Sequence, residues 1–408
     1  MFTTFKSLKI DQFINDHHQV ELLISYDWFS SIGKDLFTAG KEFLGKEISI
    51  SISSISLTSQ HKPVIFNGII TSVHAGKERD GTHGFCVIRG SSPTVLLEND
   101  PHITAFGPQS LADIITSTLK LAEPYFNKAS VDPEEKDPLK YTVQYKETAY
   151  EFIRRLAQRH GEWFFYDGQQ IVFGRYQPQK TALTHLTDLI DFDLALNVMP
   201  NNIQLNGFDY RQDAVSRNST TTQPDSGINN YSKHAQDISR KLYRKTSLYK
   251  MNQPFTSNAR QQVDKQTAIQ HKGRLARMVT INGNSRHTAL KIGDIVSIGE
   301  QFPDTTDHGE FVVTRLSHTC TSNGQYQNTF EGIPADVAMP EVNVDLHPWC
   351  EPQSAVVTDN NDPRGLGRVK VAFRWQNQGS TPWLRVVAPH GGGKKGFYFV
   401  RCPRRQLC

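Results

Sequence analysis

The stretch between Ala355 and Trp375 constrains the fold most, because it combines two strand-like runs with a sharp turn. The tract 360–367 holds Asn, Asp, Pro and Gly, which tolerate or pre-set turn dihedrals. Four apolar residues then alternate with three basic ones: Arg368, Val369, Lys370, Val371, Phe373, Arg374 and Trp375. This alternation predicts a half-buried antiparallel strand with its charged side chains in water. We also expect strands at 381–388 and 397–399, on either side of the glycine-rich loop 389–396.

Length and composition bound the class of protein. A chain of 408 residues predicts about two to four domains at roughly 150 residues each. The formal net charge is only +4, which argues against a protein that binds nucleic acid by bulk attraction. The longest apolar runs, such as 20–24, are far shorter than the roughly 20 residues that span a bilayer.

The cysteines and the N-terminus bear on the compartment. The cysteines are odd in number and widely scattered: Cys86, Cys320, Cys350, Cys402 and Cys408. Free thiols in a reducing cytoplasm explain this distribution better than a disulfide framework. The first residues lack a long apolar stretch with a small-residue cleavage site, so we expect no cleaved signal peptide.

Strands and helices alternate along the rest of the chain. β-branched and alternating runs predict strands at 48–52, 64–73, 85–89, 163–166, 171–173, 277–281, 290–298, 311–318 and 326–334, with turns at 76–84, 282–285 and 321–325. The polar region 181–253 gives few signals, and we expect an exposed loop at 216–227.

Three helices are predicted. Ser110 is a suitable N-cap for a helix over 111–119. A second helix is expected over 147–160, with Gly161 as its stop signal, and a third over 257–271. The second helix has an apolar stripe with three arginines outside it: Ala149, Phe152, Ile153, Leu156 and Ala157, against Arg154, Arg155 and Arg159.

Two regions hold several motifs in a fixed order. In 141–166, a strand ends in Gln-Tyr-Lys-Glu before a helix, a glycine and an aromatic strand. In 351–399, a turn ending in Gly-Arg-Val-Lys-Val precedes Arg374-Trp375, the run Trp383-Leu-Arg-Val and a glycine-rich loop before Gly-Phe-Tyr-Phe. Both regions resemble the VgrG spike proteins of type VI secretion systems and the related hub and puncturing proteins of contractile phage tails, and the order of the motifs makes the resemblance specific.

The resemblance implies a mainly β fold with a few helices. Residues 1–345 would form a phage-hub-like base of two related β-barrels with inserted helices. Residues 346–408 would form an OB-fold-like small barrel at the start of a needle. The segment Val400–Cys408 is basic, cysteine-bearing and unlike a strand, so we expect a small barrel left incomplete by truncation or a shifted reading frame.

The resemblance also implies a function. The chain would be a structural spike, a homotrimeric tip that caps the hexameric tube protein, contacts baseplate proteins and carries a tip protein or effector cargo. It would be made in the bacterial cytoplasm and then be injected without a cleaved signal peptide, meeting a target membrane only on injection. A phage-tail or related injection-particle hub is the alternative; a nucleic-acid-binding OB protein and an enzyme rank behind both.

Possible sites of chemistry are few, and we predict no catalytic, cofactor or metal site. The histidines lack zinc-site spacing: His17, His18, His83, His102, His160, His185, His318 and His390. His318 and Cys320 could share one strand face, but they have no second ligand pair at suitable spacing. We interpret them as packed or surface residues.

Four other patterns also have plainer interpretations. Asp188, Asp191 and Asp193 could do acid–base work, but outward-facing strand residues explain them better. The loop 391–396 fails the phosphate-loop pattern, and Cys86 and Cys320 lack a catalytic thiol signature. Arg368, Lys370, Arg374 and Trp375 would suit phosphate contacts and stacking, yet a charged outer face explains them equally well. We therefore predict no nucleic-acid partner.

Overall fold

The computed structural model describes residues 5–25, 36–53, 62–77, 84–122, 129–210, 212–225, 228–251, 258–302, 305–376 and 379–387. The helices in these ranges are α1 Leu36–Phe43, α2 Leu111–Leu119, α3 Ala149–His160, α4 Asn230–Leu242 and α5 Ala259–Leu275. The strands are β1 Ser7–Phe13, β2 Gln19–Ser25, β3 Glu47–Ile52, β4 Val64–Lys77, β5 Gly84–Ser91, β6 His102–Phe106, β7 Ala129–Asp132, β8 Thr142–Glu147, β9 Phe164–Tyr166, β10 Ile171–Gly174, β11 Lys180–Thr184, β12 Leu189–Leu196, β13 Ile203–Asp209, β14 Ala214–Ser219, β15 Ser247–Met251, β16 Val279–Ser285, β17 Ile295–Glu300, β18 Thr306–Thr321, β19 Tyr326–Pro334, β20 Ala355–Asp359 and β21 Lys370–Phe373.

One sheet of 11 strands organises the base, and its order is β12-β16-β19-β18-β1-β2-β5-β4-β3, with β17 on β18 and β11 on β17. The long strand β18 joins two lobes of this sheet: one contains β1–β5, and the other contains β11, β12, β16, β17 and β19. Its first half pairs with β17 and its second half pairs with β1, from Phe13 opposite Arg315 to Ser7 opposite Thr321. Because both lobes share β18, they are held in one hydrogen-bonded frame.

Each lobe has its own apolar core. The core of the β1–β5 lobe includes Ile10, Ile24 and Phe66, and the core of the other lobe includes Phe311 and Phe330. All five side chains are fully buried. Two cores on one shared frame agree with the mainly β hub architecture that the resemblance implies.

A third core lies under the helices that interrupt the strands. Phe152 and Ile153 of α3 pack with Leu111 of α2 and Phe173 of β10. Helix α3 begins with a capping box, in which the Thr148 hydroxyl accepts from the backbone N–H of Glu151 and the Glu151 carboxylate accepts from the N–H of Thr148.

The helix signals of the sequence are largely confirmed. The Ser110 hydroxyl accepts a 3.1 Å hydrogen bond from the N–H of Asp113, so Ser110 caps α2 as predicted. Gly161 ends α3 with a φ of +69°, a left-handed conformation that suits glycine. Helix α3 begins at Ala149 rather than at 147.

One turn prediction and parts of two strand predictions were wrong. The predicted turn 282–285 belongs to strand β16, and the predicted strand 290–298 begins only at Ile295, as β17. The predicted strand 381–388 is reduced, in its described part, to one bridge between Leu384 and Val369. The region 181–253, which gave few signals, holds β11–β15 and α4, and part of the predicted loop 216–227 is strand β14. The predicted loop 389–396 and strand 397–399 lie outside the described residues.

Part of the small barrel is described. Strands β20 and β21 pair antiparallel, with Ala355 opposite Phe373 and Val357 opposite Val371, and the predicted turn 360–367 connects them. The boundary between the base and the small barrel at 345/346 stays a prediction.

Candidate functional site

The end of strand β8 is where the base meets the small barrel. Gln144, which is buried, donates a 2.8 Å hydrogen bond from Nε2 to the backbone oxygen of Glu147. Lys146 has a φ of +54°, an uncommon left-handed conformation for a residue other than glycine. The chain therefore makes a tight corner here, and the side chains of Tyr145 and Lys146 project from it toward the barrel.

Glu147 fastens this corner to helix α3. Its carboxylate accepts hydrogen bonds from Nε and Nη2 of Arg155, and the same Nη2 donates to the backbone oxygen of Val143 at 2.7 Å. Arg155 is buried, which corrects the expectation that it lies outside the packed stripe of the helix. Burial of this guanidinium is tolerated because it forms a two-pronged pair with a carboxylate.

Glu351, at the start of the barrel segment, binds the other two side chains of the corner. The Tyr145 hydroxyl and the Lys146 ammonium both donate to its carboxylate. The Lys146 hydrogen bond, and then the Tyr145 hydrogen bond, lower the pKa of Glu351 to about 2. The carboxylate is therefore ionised at neutral pH and ties the barrel segment to the base.

Two barrel residues complete the contact. Gln353 donates 2.7 Å from Nε2 to the Tyr145 hydroxyl and accepts a 2.6 Å hydrogen bond from the indole N–H of Trp375. Trp375 stacks on Phe373 with ring centroids 5.3 Å apart. We call Tyr145, Lys146, Glu351, Gln353 and Trp375 the base–barrel joint.

The turn of the barrel is organised by one carboxylate. Asp362 accepts hydrogen bonds from the backbone N–H groups of Arg364 and Leu366 and from the guanidinium of Arg368. The Arg368 hydrogen bond holds the pKa of Asp362 well below its usual range. Arg368 is buried, so the expectation that it faces water is wrong.

Cations and aromatic rings also meet across the joint. Arg385 of the barrel lies over the ring of Tyr210 of the base, 4.6 Å from its centroid. Within the barrel, the ammonium of Lys370 lies 4.9 Å from the ring centroid of Trp383. Such contacts are attractive because the cation faces the negative face of the ring, and the Arg385–Tyr210 contact links the barrel to the base.

The candidate histidines are dispersed. Among the described residues, no three His, Cys, Asp or Glu side chains could hold a metal ion together. His160 is buried beside Glu135, and His185 lies 3.6 Å from Glu300. His102 is exposed in β6, and His83 and His390 lie outside the described residues.

His18 and His318 do come together, although no spacing in the sequence indicates it. Gln12 donates to Nδ1 of His18 at 3.4 Å and accepts from Nε2 of His318 at 3.2 Å. The series of hydrogen bonds continues to the Tyr326 hydroxyl, which donates to Nδ1 of His318 at 2.8 Å. Both histidines are fully buried at the strands that join the lobes. All four ring nitrogens have hydrogen-bond partners in the protein, so both histidines have a structural role in the sheet.

The remaining candidates also have structural roles. Asp191 and Asp193 are exposed on β12 and accept hydrogen bonds from Asn284 and Asn282 of the neighbouring strand, while Asp188 is partly exposed before β12. Cys320 is a free thiol, and burial raises its pKa, which disfavours a reactive thiolate. Cys86 and Cys350 are also free thiols, and Cys402, Cys408 and the loop 391–396 lie outside the described residues.

None of the helices in the described ranges is long and apolar enough to cross a bilayer.

Comparison with known families settles which architecture this is. Residues 20–324 match the phage tail baseplate hub family, and residues 353–403 match the type VI secretion system/phage-baseplate injector OB domain. The chain belongs to the phage tail baseplate hub family. The two matched segments meet at the base–barrel joint, so the joint connects the hub part of the chain to the injector part.

One curated relative is similar over part of its length. The chain is 24% identical over 306 residues to the type VI secretion system spike protein VgrG1c of Pseudomonas aeruginosa. The alignment covers 65% of this chain and 39% of the relative, so the chain spans about two-fifths of the length of that protein.

Solved structures show the same fold at low sequence identity. The Escherichia coli c3393 protein, a component of the type VI secretion system, is 16% identical with a TM-score of 0.60, over 93% of this chain and 89% of that one. The tail protein of Neisseria meningitidis MC58 is 11% identical with a TM-score of 0.55, over 83% of this chain and 94% of that one. The Francisella PdpA–VgrG complex gives a TM-score of 0.54 at 10% identity, over 97% of this chain and 70% of that one.

Proposed function

We propose that this chain is a structural spike and hub of a type VI secretion apparatus, a homotrimeric tip that caps the tube and is driven into target cells. The observation that carries the proposal is the order of the two family matches, a baseplate hub followed by an injector OB domain. The similarity to VgrG1c supports the secretion system in particular.

The architecture suits a part that transmits force. A spike pushed from behind needs its base and its tip-side barrel to move as one body. The base–barrel joint supplies hydrogen bonds and an ion pair between Lys146 and Glu351, and Arg155 braces the same corner from inside the base. A charged contact with fixed partners resists bending better than apolar contact alone, because hydrogen bonds are directional.

The proposal includes a set of partners. Three copies of a base with two lobes would present six similar units to a hexameric tube protein, which matches threefold to sixfold symmetry. Baseplate proteins and a tip protein or effector cargo would complete the assembly, with no nucleic-acid partner. The chain would be made in the bacterial cytoplasm and leave it by injection, without a cleaved signal peptide. We propose no catalytic role for it.

A phage-tail or related injection-particle hub is the second candidate. The fold similarity to the Neisseria meningitidis tail protein, over 94% of that chain, favours it. The two functions share the hub and differ in the particle that carries it.

Deletion of the encoding gene from its host separates them. We expect the deletion to abolish release of the tube protein into the medium, and the wild-type gene to restore it. Unchanged release would contradict the proposal. Loss of phage-like particles, with tube-protein release unaffected, would assign the chain to the second candidate.

A further inference from the structure

The small sheet β14-β13-β15 has a covered face and an open face. Helix α5 packs so closely on the covered face that a Cβ at Gly207 would lie 2.5 Å from Cγ2 of Val263. Ile203 and Leu205, which share that face of β13, are buried. The residues that alternate with them point to the other side of the sheet, away from α5.

The open face carries cations and an apolar side chain. Arg217 of β14 and Lys250 of β15 lie on either side of Asn206 of β13. Leu248 of β15 lies opposite Gln204. Arg217, Leu248 and Lys250 are exposed, and Leu248 is 70% exposed. Because residues directly opposite each other point to one face of a sheet, these three side chains leave the sheet on the same side.

The chain that leads into β15 extends this face. The tract 241–250 holds four Lys or Arg and no Asp or Glu. Asn202, just before β13, holds it beside the sheet: its side chain donates to the backbone oxygen of Arg244 at 3.1 Å, and its backbone oxygen accepts from the N–H of Ser247 at 2.9 Å. Leu242 is 62% exposed in this tract. We call residues 241–250 together with Arg217 the basic surface.

The charges of the basic surface are not neutralised within the chain. Its five cations are exposed, and none of them forms an ion pair with a carboxylate of the described residues: Arg217, Lys241, Arg244, Lys245 and Lys250. The neighbouring Arg240, in contrast, pairs with Asp225. Two exposed acidic residues are close along the chain, Asp213 in the β13–β14 turn and Asp237 one helical turn before Lys241. Five cations against two carboxylates leave a positive surplus, which favours an anionic partner.

We propose that the basic surface binds an anionic phospholipid membrane, with Leu242 and Leu248 at the boundary of the acyl chains and the cations among the headgroups. The inference goes beyond the proposed function. Lys and Arg side chains suit this arrangement, because their apolar stems lie along apolar surface while their charged ends stay in water. Each cation close to an anionic leaflet strengthens binding about fivefold. The contact lies on the membrane and does not cross it.

The composition of the basic surface favours a membrane over another macromolecule. Its most exposed apolar side chains are Leu242 and Leu248, whereas single-stranded nucleic acids stack on aromatic rings. Three of its five cations are lysines, which are depleted at the centres of protein interfaces, where leucine also contributes few of the strongest contacts. Exposed leucines among lysines and arginines are typical of segments that lie at the membrane surface.

Vesicle flotation with the whole chain tests the proposal. One set of vesicles contains phosphatidylcholine and phosphatidylglycerol, and the other contains phosphatidylcholine alone. We expect binding to the anionic vesicles that weakens with added salt, and at least about tenfold weaker binding to the neutral ones. Lys245→Gln should weaken binding to the anionic vesicles about fivefold. Leu248→Ser should weaken it about tenfold, because an apolar side chain is lost from the lipid boundary.

The matched controls lie between α1 and β3. Leu44 is 57% exposed and Lys46 is exposed, but two exposed acidic residues, Glu42 and Glu47, flank them in sequence. Leu44→Ser and Lys46→Gln should therefore bind the anionic vesicles within about twofold of the wild type, because this site has no positive surplus. Circular dichroism checks that each variant folds.

Three outcomes would overturn the proposal. The first is no binding to the anionic vesicles, or equal binding to the neutral ones. The second is equal weakening by Lys245→Gln, Leu248→Ser and the two control substitutions. The third is tighter binding of an oligonucleotide or of polyglutamate, compared at equal charge, that Leu248→Ser leaves unchanged. That result would assign the basic surface to a nucleic acid or to an acidic protein.

Discussion

The Arg155 guanidinium donates hydrogen bonds of 2.6 and 2.9 Å to the two carboxylate oxygens of Glu147. Both side chains are mostly buried, at 8% and 15% exposed. The pair links helix α3 to the corner from which Tyr145 and Lys146 reach the barrel. One buried ion pair thus supports both the packing of the base and the geometry of the joint.

Arg155→Met should lower the free energy of unfolding by about 3 kcal/mol, because it leaves the Glu147 carboxylate buried without its cation. Urea unfolding measures this loss. The matched control is Arg315→Met, which breaks the exposed pair with Glu331 and should cost less than about 1 kcal/mol. Equal losses in the two variants would mean that burial does not strengthen the Arg155 pair.

The joint should loosen in acid. The pKa of Glu351 is lowered in the folded chain to about 2 from its ordinary 4.5, so its contribution is complete above pH 4.5 and is lost as the pH falls toward 2. Energy transfer between dyes on the base and the barrel measures the contact. We expect Glu351→Gln at pH 7 to resemble the wild type at low pH.

The control for the joint is Glu310→Gln, which removes the exposed pair with Lys180 in the base. This variant should keep the wild-type transfer at pH 7. A joint that stays closed in Glu351→Gln would show that the remaining contacts of Gln353 and Trp375 suffice.

Gly174 should tolerate no side chain. It has a φ of +90°, and a Cβ there would lie 2.2 Å from the backbone oxygen of Asp132 on the paired strand. Gly309 has a φ of +96° and open space around it. We expect Gly309→Ala to cost about 1–2 kcal/mol of stability from dihedral strain alone. Gly174→Ala should cost about 2 kcal/mol more in thermal unfolding, because strand backbones must separate; equal costs would contradict this.

The buried histidines should make stability fall in mild acid. Burial lowers the pKa of His18 to about 3 and of His318 to about 4, from 6.5. Below pH 6.5 the unfolded chain therefore binds protons that the folded chain does not bind. The stability present above pH 6.5 is lost as the pH falls toward 4 for His318 and toward 3 for His18. Each histidine contributes a slope of about 1.4 kcal/mol per pH unit.

His318→Gln tests this assignment by urea unfolding at pH 8, 6 and 5. The variant should be less stable at pH 8, because Gln12 and Tyr326 lose their partner, yet its stability should fall less steeply below pH 6.5. Replacing the exposed His74 by Gln should leave the slope unchanged. A wild-type slope in His318→Gln would show that other groups cause the acid sensitivity.

Helix ends and strand alternation were predicted correctly, because they depend on residues that are close in sequence. Ser110 and Gly161 cap their helices because a hydroxyl and a left-handed glycine satisfy helix ends whatever lies around them. The alternation in 326–334 likewise predicted β19, since a period of two places one face in the core.

Partners distant in sequence explain the failures. Arg155 was expected outside the packed stripe of helix α3 because its side chain is charged. The helical pattern does not show that this charge pairs with Glu147 at the end of strand β8. The tract 282–285 has turn composition, yet it is a strand because Asn282 and Asn284 bind the two aspartates of β12. Gly283 fits there because the ring of Phe330 fills the space of its absent side chain. Glu351 lies 206 residues from Tyr145, so no local sequence pattern around either residue predicts their contact.

The solution mass of the purified chain tests the central claim most directly. Light scattering over a range of concentrations should give a mass near three times 46.1 kDa, as a trimeric hub requires. A mass of 46.1 kDa at every concentration would contradict it.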